Sequence, residues 1–110
     1  MVITEVQNNN YLILKLQGSL DIYTSLDLKN HIEKIQKPPE ILIFDLNGID
    51  YVDSSGIGTL IKIINFLKEK QTGFFVTGIK SSIEKIFVVA GLMPYFTVLS
   101  EKEFKVKYPF

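Results

Sequence analysis

The chain has 110 residues, with twelve basic and twelve acidic side chains, no cysteine and 46% hydrophobic residues. The balanced charge argues against nucleic-acid binding, and the missing cysteines exclude disulfides and thiolate metal sites. This length and composition are typical of one globular domain, which we expect to span residues 1–110. Because the N-terminus lacks a signal-peptide pattern and no apolar run approaches about 20 residues, we expect a cytoplasmic protein without membrane segments.

Alternating apolar residues predict strands over residues 2–7 and 11–17, and the three asparagines between them predict the turn of a β-hairpin. Thr24 is the predicted N-cap of an amphipathic helix over residues 24–36. The following Lys37-Pro38-Pro39 should end this helix, because proline cannot continue its hydrogen bonds. The chain is therefore expected to begin with a hairpin and a helix.

Hydrophobic periodicity predicts further strands at 41–46, 74–77 and, weakly, 96–99, with helices over 57–70, 81–90 and 100–104. The pair Ser81 and Glu84 predicts a capping box for the helix that they begin. Gly91 should stop that helix, and Pro94 should prevent it from resuming. Strands that alternate with helices after a hairpin predict an α/β fold. We expect a small, mixed, mostly parallel sheet of four or five strands with covering helices.

The stretch Asp53-Ser54-Ser55-Gly56-Ile57-Gly58 joins the central strand to the next helix, a position where many enzymes carry catalytic residues. A serine nucleophile would need a glycine two residues earlier and a base, but the one histidine, His31, is predicted to be exposed on a helix. A phosphate-binding loop would need a lysine, which this stretch lacks. The nearby Asp45 and Asp50 are better explained by turns and caps than by a metal site. We therefore expect neither an enzyme nor a cofactor.

A fourth possibility is that the junction is a substrate of another protein. A phosphate on Ser54 or Ser55 would gain about 0.3–1 kcal/mol from the helix N-terminus, and Asp53 and Asp21 would oppose it. Because attraction and repulsion nearly balance, a phosphate should change the fold little. It should instead weaken binding at an interface, where a buried unpaired charge costs several kcal/mol. The alternative is that both serines only cap the helix. The residues by themselves do not decide between these two interpretations.

The motif at residues 53–60 resembles the signature of the STAS domain, specifically that of stand-alone bacterial anti-sigma factor antagonists. The resemblance covers almost the whole chain, in order and spacing. Further matching segments are Gly18-Ser19-Leu20-Asp21 with Thr24, then residues 43–46, 82–87 and 90–92. Two features depart from the family pattern: the Ile22-Tyr23 pair gives the loop after Asp21 its own bulk, and the aromatic tail Tyr108-Pro109-Phe110 has no counterpart that we can assign.

This resemblance implies a regulatory partner-switching protein of transcription and signal transduction. The unphosphorylated antagonist would bind an anti-sigma factor of the GHKL serine-kinase type and so release a sigma factor. The kinase would then phosphorylate one serine, and a PPM-type phosphatase would restore the antagonist. By position in the motif, Ser55 would be the acceptor, supported by Ser54, with the carboxylate of Asp53 beside it. The partner-binding surface would also include Asp21, Thr24, Gly56, Ile57 and Gly58.

Two alternatives remain open at this point. The chain could be a scaffold or adaptor of a stressosome or phosphatase pathway without direct control of a sigma factor, or a weak nucleotide-binding sensor. For the antagonist we expect a monomer or weak dimer that binds neither nucleic acid nor a membrane. Ile63 and Phe66 lie beside the main apolar stripe of their helix, and we expect them to belong to the core rather than to a docking patch.

Overall fold

A computed structural model describes residues 1–37 and 39–109. Within these residues, four strands and four helices follow much as the sequence predicts, with one short 3₁₀ turn before the last helix. In chain order they are β1 (Val2–Gln7), β2 (Tyr11–Leu20), α1 (Ile22–Glu33), β3 (Ile41–Val52), α2 (Ser54–Glu69), β4 (Gly73–Thr77), α3 (Ser81–Val89), the 3₁₀ turn (Met93–Tyr95) and α4 (Glu101–Lys107).

The sheet has the order β1-β2-β3-β4, with β1 antiparallel to β2 and the other pairs parallel. The predicted mixed sheet, its hairpin and its central parallel strand are therefore confirmed. The predicted strand at 96–99 forms only one bridge within the described residues, in which Val76 pairs with Val98. Two backbone hydrogen bonds, from Val76 N to Thr97 O and from Leu99 N to Val76 O, hold that segment at the edge.

Helix α1 corrects the predicted start. Its N-cap is Asp21, and Thr24 is the third helical residue of a capping box. The helix ends at Glu33, before the position where the prolines should have stopped it. Pro38, one of these prolines, lies outside the described residues. The correction follows from β2, which continues to Leu20 and brings Asp21 to the helix start.

Strand β3 corrects the predicted turn at Asp50. The strand runs to Val52 because β2 pairs with it along its whole length, up to Leu20 opposite Val52, so Asp50 lies in a strand. Helix α2 consequently begins at Ser54, three residues before the apolar stripe that predicted it.

The two later helices show where local cap patterns succeed and fail. Lys80 is the N-cap of α3 and gives no side-chain hydrogen bond, so the capping box predicted for Ser81 and Glu84 is wrong. The predicted stop is confirmed, because Gly91 has a φ of 71° and its amide donates to Val88 O over 3.1 Å. Helix α3 does not resume at Pro94, which stands near the start of the short 3₁₀ segment.

The core lies on both faces of the sheet. Alternate residues of β2 and β3, such as Leu14 and Phe44, pack with α1, α2 and α3 into the larger cluster. Ile63 is buried in that cluster and Phe66 packs against it, which confirms the prediction that they belong to the core.

The second face of the sheet is covered by α4 and by Tyr108, which follows it. Ile13 and Ile43 pack there with Phe104 of α4. The ring of Tyr108 packs edge-on against Tyr11, with centroids 5.1 Å apart. The hydroxyl of Tyr11 donates a 2.6 Å hydrogen bond to the carbonyl of Pro109. Tyr108 and Pro109 of the aromatic tail that the resemblance left unassigned thus close the second face of the core, whereas Phe110 lies outside the described residues.

Candidate functional site

Two strand-to-helix junctions lie side by side at one edge of the sheet. Leu20 at the end of β2 is paired in register with Val52 at the end of β3. The amide of Asp53 donates a 3.1 Å hydrogen bond to the carbonyl of Leu20. Each strand is followed by one aspartate that caps the next helix, Asp21 for α1 and Asp53 for α2. The structure therefore brings together the two loops that the motif resemblance connected.

The junction at Asp21 is stabilised by hydrogen bonds of its own side chains, those of Asp21 and Thr24. One carboxylate oxygen of Asp21 accepts hydrogen bonds from the amides of Tyr23 and Thr24, each 2.9 Å long. The Thr24 hydroxyl accepts from the amide of Asp21 over 3.0 Å and donates to the carbonyl of Ser19 over 2.6 Å. The Thr24 amide, helped by that of Tyr23, holds the pKa of Asp21 below its ordinary value. Thr24 therefore ties the start of α1 to the end of β2 through both its amide and its hydroxyl.

The Asp53 junction depends on a close backbone approach. The carboxylate of Asp53 accepts a 2.9 Å hydrogen bond from the amide of Gly56. Gly56 is buried, and a Cβ at this position would stand 2.2 Å from the carbonyl oxygen of Leu20. Glycine here allows the first turn of α2 to sit directly against the end of β2.

Ser54 and Ser55 are both exposed in this first turn. Within residues 1–37 and 39–109, neither side-chain hydroxyl has a hydrogen-bond partner, whereas the carboxylate of Asp53 caps the helix. The interpretation that the serines only cap α2 is therefore wrong. Two hydroxyls are presented at a rigid helix start, with no structural role assigned to either.

The two serines lie on different sides of α2. Ser54 lines a groove of about 380 Å³ between α2 and α3, together with Ile57 one turn further along. Ser55 does not line that groove. A Cβ on Gly58, three residues after Ser55, would meet no atom within 4 Å, which leaves that side of the helix open.

The groove beside Ser54 contains residues that the sequence reasoning did not select. Lys85, Ile86 and Val89 of α3 line it, and the side chain of Val89 is 88% exposed. The available signal was the Val88-Val89 pair, in which two apolar residues follow each other although α3 needs only one buried stripe. Tyr23, which is 78% exposed in the first turn of α1, adds a further exposed apolar side chain near Asp21.

The other candidate groups do not join this site. Asp45 lies within β3, not in a turn, and accepts a 3.0 Å hydrogen bond from the amide of Asn47. The Nε2 atom of His31 forms a hydrogen bond with the carboxylate of Glu5. Among the residues that the structure describes, no three side chains with metal-binding groups converge. Within that same part of the chain, every helix is too short or too polar to cross a bilayer.

Comparison with known proteins gives one consistent result. The STAS domain family matches residues 2–104. An anti-sigma-B factor antagonist of Listeria monocytogenes is 25% identical over 87 residues, which cover 78% of this chain and 76% of that protein. The anti-sigma factor antagonist SpoIIAA in its unphosphorylated form has a TM-score of 0.76 at 19% identity over 96% of each chain. The phosphorylated form of SpoIIAA, described as a Bacillus cell fate determinant, has a TM-score of 0.71 at 18% identity over 96% and 98% of the two chains. Since the family covers almost the whole chain and the fold agrees, this protein belongs to the STAS domain family.

Proposed function

We propose that this protein is an anti-sigma factor antagonist whose binding is ended by phosphorylation of Ser55. The unphosphorylated protein binds an anti-sigma factor that is a GHKL-type serine kinase, and the sigma factor is thereby released. A PPM-type phosphatase reverses the modification. The chain itself catalyses no reaction in this scheme, and the proposed domain extends over residues 1–110.

The observation that carries this proposal is the unused hydroxyl of Ser55. Asp53 satisfies the helix start, so the serine side chain is free to enter the active site of a kinase. The open side of α2 at Gly58 leaves room for a protein surface to approach. The names of the relatives support the kind of partner, because the antagonist of Listeria monocytogenes and SpoIIAA are both named for action on an anti-sigma factor.

The phosphorylation step needs ATP and the catalytic groups of the kinase. The Ser55 Oγ forms a bond to the γ-phosphorus of ATP, and the bond from that phosphorus to the bridging oxygen of ADP breaks. ADP leaves, and the hydroxyl proton passes to a base of the kinase. In the reverse step, the phosphatase directs a water molecule to attack the phosphorus of the Ser55 phosphate, and the bond between that phosphorus and the Ser55 Oγ breaks. Inorganic phosphate leaves and the free hydroxyl is restored.

The charge of the phosphate accounts for the loss of binding. Phosphorylation adds a charge of about −1.5 to −2 beside the carboxylates of Asp53 and Asp21. The N-terminus of α2 stabilises this phosphate by only about 0.3–1 kcal/mol, so we expect no change of fold. When a partner covers the junction, the same charge is removed from water without a counter-charge, and this costs several kcal/mol.

Labelling with the kinase tests the proposal directly. The purified anti-sigma factor kinase from the same genome is incubated with ATP and either the wild-type chain, Ser54→Ala or Ser55→Ala. We expect phosphate on Ser55 in wild type and in Ser54→Ala, and none in Ser55→Ala, by phosphosite mapping. Ser55→Asp should bind the kinase at least tenfold more weakly than wild type. Label on Ser54, or unchanged binding by Ser55→Asp, would contradict the assignment.

Two measurements address the alternative functions. Affinity purification that recovers a large multi-copy assembly in place of a kinase would favour the scaffold or adaptor function. Calorimetry with ATP and GTP would favour a nucleotide sensor if either bound in the micromolar range, since the antagonist function needs no nucleotide on this chain.

A further inference from the structure

We infer that a cavity between the C-terminal ends of α1 and α2 binds a small monocarboxylate with an apolar tail. The cavity has a volume of about 260 Å³ and is lined by residues at or just after the last turns of these two helices. Both strand-to-helix junctions lie at the opposite, N-terminal ends of the same helices. The site is therefore separate from the surface used in the proposed function, and the inference goes beyond that function.

The apolar side chains of the cavity favour a ligand with a hydrocarbon tail. Ile32, Leu42 and Leu67 line it and are buried, whereas Ile35 and Phe66 line it and are half-buried. An apolar cavity of about 150 Å³ is large enough for benzene, so this larger one has room for about ten non-hydrogen atoms. A tail in contact with these five side chains would remove its own apolar surface from water.

The ammonium group of Lys70 supplies a positive charge at this cavity. Its Nζ atom lies 5.6 Å from the centroid of the Phe66 ring, and both residues line the cavity. Among the residues that the structure describes, Lys70 forms no ion pair within 4.0 Å. A carboxylate could therefore pair with this ammonium group without displacing another partner.

The negative groups at the same end of the two helices already have partners. Glu33 also lines the cavity, but its carboxylate forms an ion pair with Lys29, one turn earlier in α1. The carbonyl of Leu67 at the end of α2 accepts a 2.9 Å hydrogen bond from the amide of Thr72. Within the described part of the chain, the charged side chain of this cavity that lacks an ion pair is thus Lys70. This favours an acid over an amine as the polar end of the ligand.

An NMR titration of the full chain tests the site, with octanoate as the probe and octylamine as the matched compound of opposite charge. With octanoate, the methyl signals of Ile32, Ile35, Leu42 and Leu67 should shift and reach saturation. Octylamine should bind about threefold more weakly or less, because its ammonium group would face that of Lys70. Shifts that do not saturate at these methyl groups, or equal affinity for the two compounds, would overturn the inference.

Two lysines of α2 provide matched variants for the charge. In Lys70→Gln the affinity for octanoate should fall about threefold, and Lys70→Arg should retain it. Lys68→Gln is the control, because the Nζ of Lys68 lies over the Tyr95 ring, 5.8 Å from its centroid, and Lys68 does not line the cavity. This control should bind octanoate as wild type does. An equal loss in Lys68→Gln and Lys70→Gln would exclude the specific pairing with Lys70.

Ile35→Phe tests the apolar part of the site without a change of charge. Its larger ring should occupy space that the ligand needs, because Ile35 lines the cavity and is half-buried. We expect octanoate binding to be lost, and urea denaturation shows whether the variant is folded. Wild-type affinity in a folded Ile35→Phe would contradict the site. Should this variant fail to fold, the exposed Lys70 still provides the decisive comparison.

Discussion

The two strand-to-helix junctions, from β2 to α1 and from β3 to α2, have the same arrangement but are stabilised by different contacts. Each places an aspartate between the end of a parallel strand and the first turn of a helix. Around Asp21, the side chain of Thr24 returns a hydrogen bond to the cap and another to the preceding strand. Around Asp53, the corresponding helical position is Gly56, which has no side chain to return either bond.

Because of this difference, the side chains that stabilise the α1 junction are engaged in hydrogen bonds, whereas the serine hydroxyls of the α2 junction are available to a partner. The junction of α1 is held by several side-chain hydrogen bonds of Asp21 and Thr24. That of α2 has one, from the amide of Gly56 to Asp53, together with the close contact between Gly56 and the backbone of Leu20. Because backbone packing positions α2, its first turn can carry two serines that are not needed for the fold. The second junction can therefore be chemically modified without loss of its support.

The largest expected effect comes from Gly56→Ala. The added methyl group would stand 2.2 Å from the carbonyl oxygen of Leu20, so α2 must move away from β2. We expect a loss of about 3 kcal/mol or more in the free energy of unfolding, measured by urea denaturation. A loss below about 1 kcal/mol would show that backbone contact does not hold this junction.

Thr24→Val tests the other junction with a side chain of similar shape. The variant loses hydrogen bonds to Ser19 and to the amide of Asp21. We expect a loss of about 1–2 kcal/mol in the same urea experiment. Thr59→Val is the matched control in α2, because that hydroxyl only bonds back to the carbonyl of Ser55. An equal loss in both variants would remove the contrast between the junctions.

Gly58→Ala separates the fold from the partner surface. Its methyl group would meet no atom within 4 Å, and alanine favours a helix over glycine by about 0.5–1 kcal/mol, so the variant should be more stable. If a kinase approaches Ser55 closely from this side, the same variant should bind it more weakly than wild type in calorimetry. Greater stability with unchanged binding would exclude Gly58 from the partner surface.

The smallest expected effect is the pH dependence of the Asp21 junction. Its pKa is lower in the folded chain than the ordinary value of 3.8, so the charged form stabilises the fold. This contribution is complete above the pKa that Asp21 has in the unfolded chain. It is lost as the pH falls through the lower pKa that Asp21 has in the folded chain. Denaturation between pH 6 and pH 2.5 should therefore show a shallower acid loss in Asp21→Asn than in wild type. Glu103 adds a loss of the same sign in both proteins, because the Ser100 cap also lowers its pKa.

The sequence predicted the parts of the fold that depend on periodicity. The hairpin, the central strand and the helices were found because their apolar spacing reflects burial. The exact starts of α1 and α2 were not predicted, because they depend on where β2 and β3 stop pairing. The full length of β3 was missed because Asn47-Gly48, which lies within it, resembles a turn when read in isolation. Likewise, the segment at 96–99 has strand-like residues but pairs with β4 through one bridge only.

The candidate site was predicted in part for a similar reason. The motif located the junction, and the resemblance connected Asp21 with Asp53 although 31 residues separate them in the sequence. The division of Ser54 and Ser55 between two sides of α2 could not be predicted while the helix was expected to start at Ile57. The groove residues of α3 were missed because their place opposite α2 arises from the packing of α3, which no local pattern encodes.

The contact between Tyr11 and Tyr108 has a spectroscopic consequence. The chain contains no tryptophan, so tyrosine dominates its near-ultraviolet absorption. The two rings are held edge-on at an angle of 77°, on the face of the sheet that α4 covers. Near-ultraviolet circular dichroism should therefore follow the closure of this face, and it provides an optical signal of tertiary folding that requires no added label.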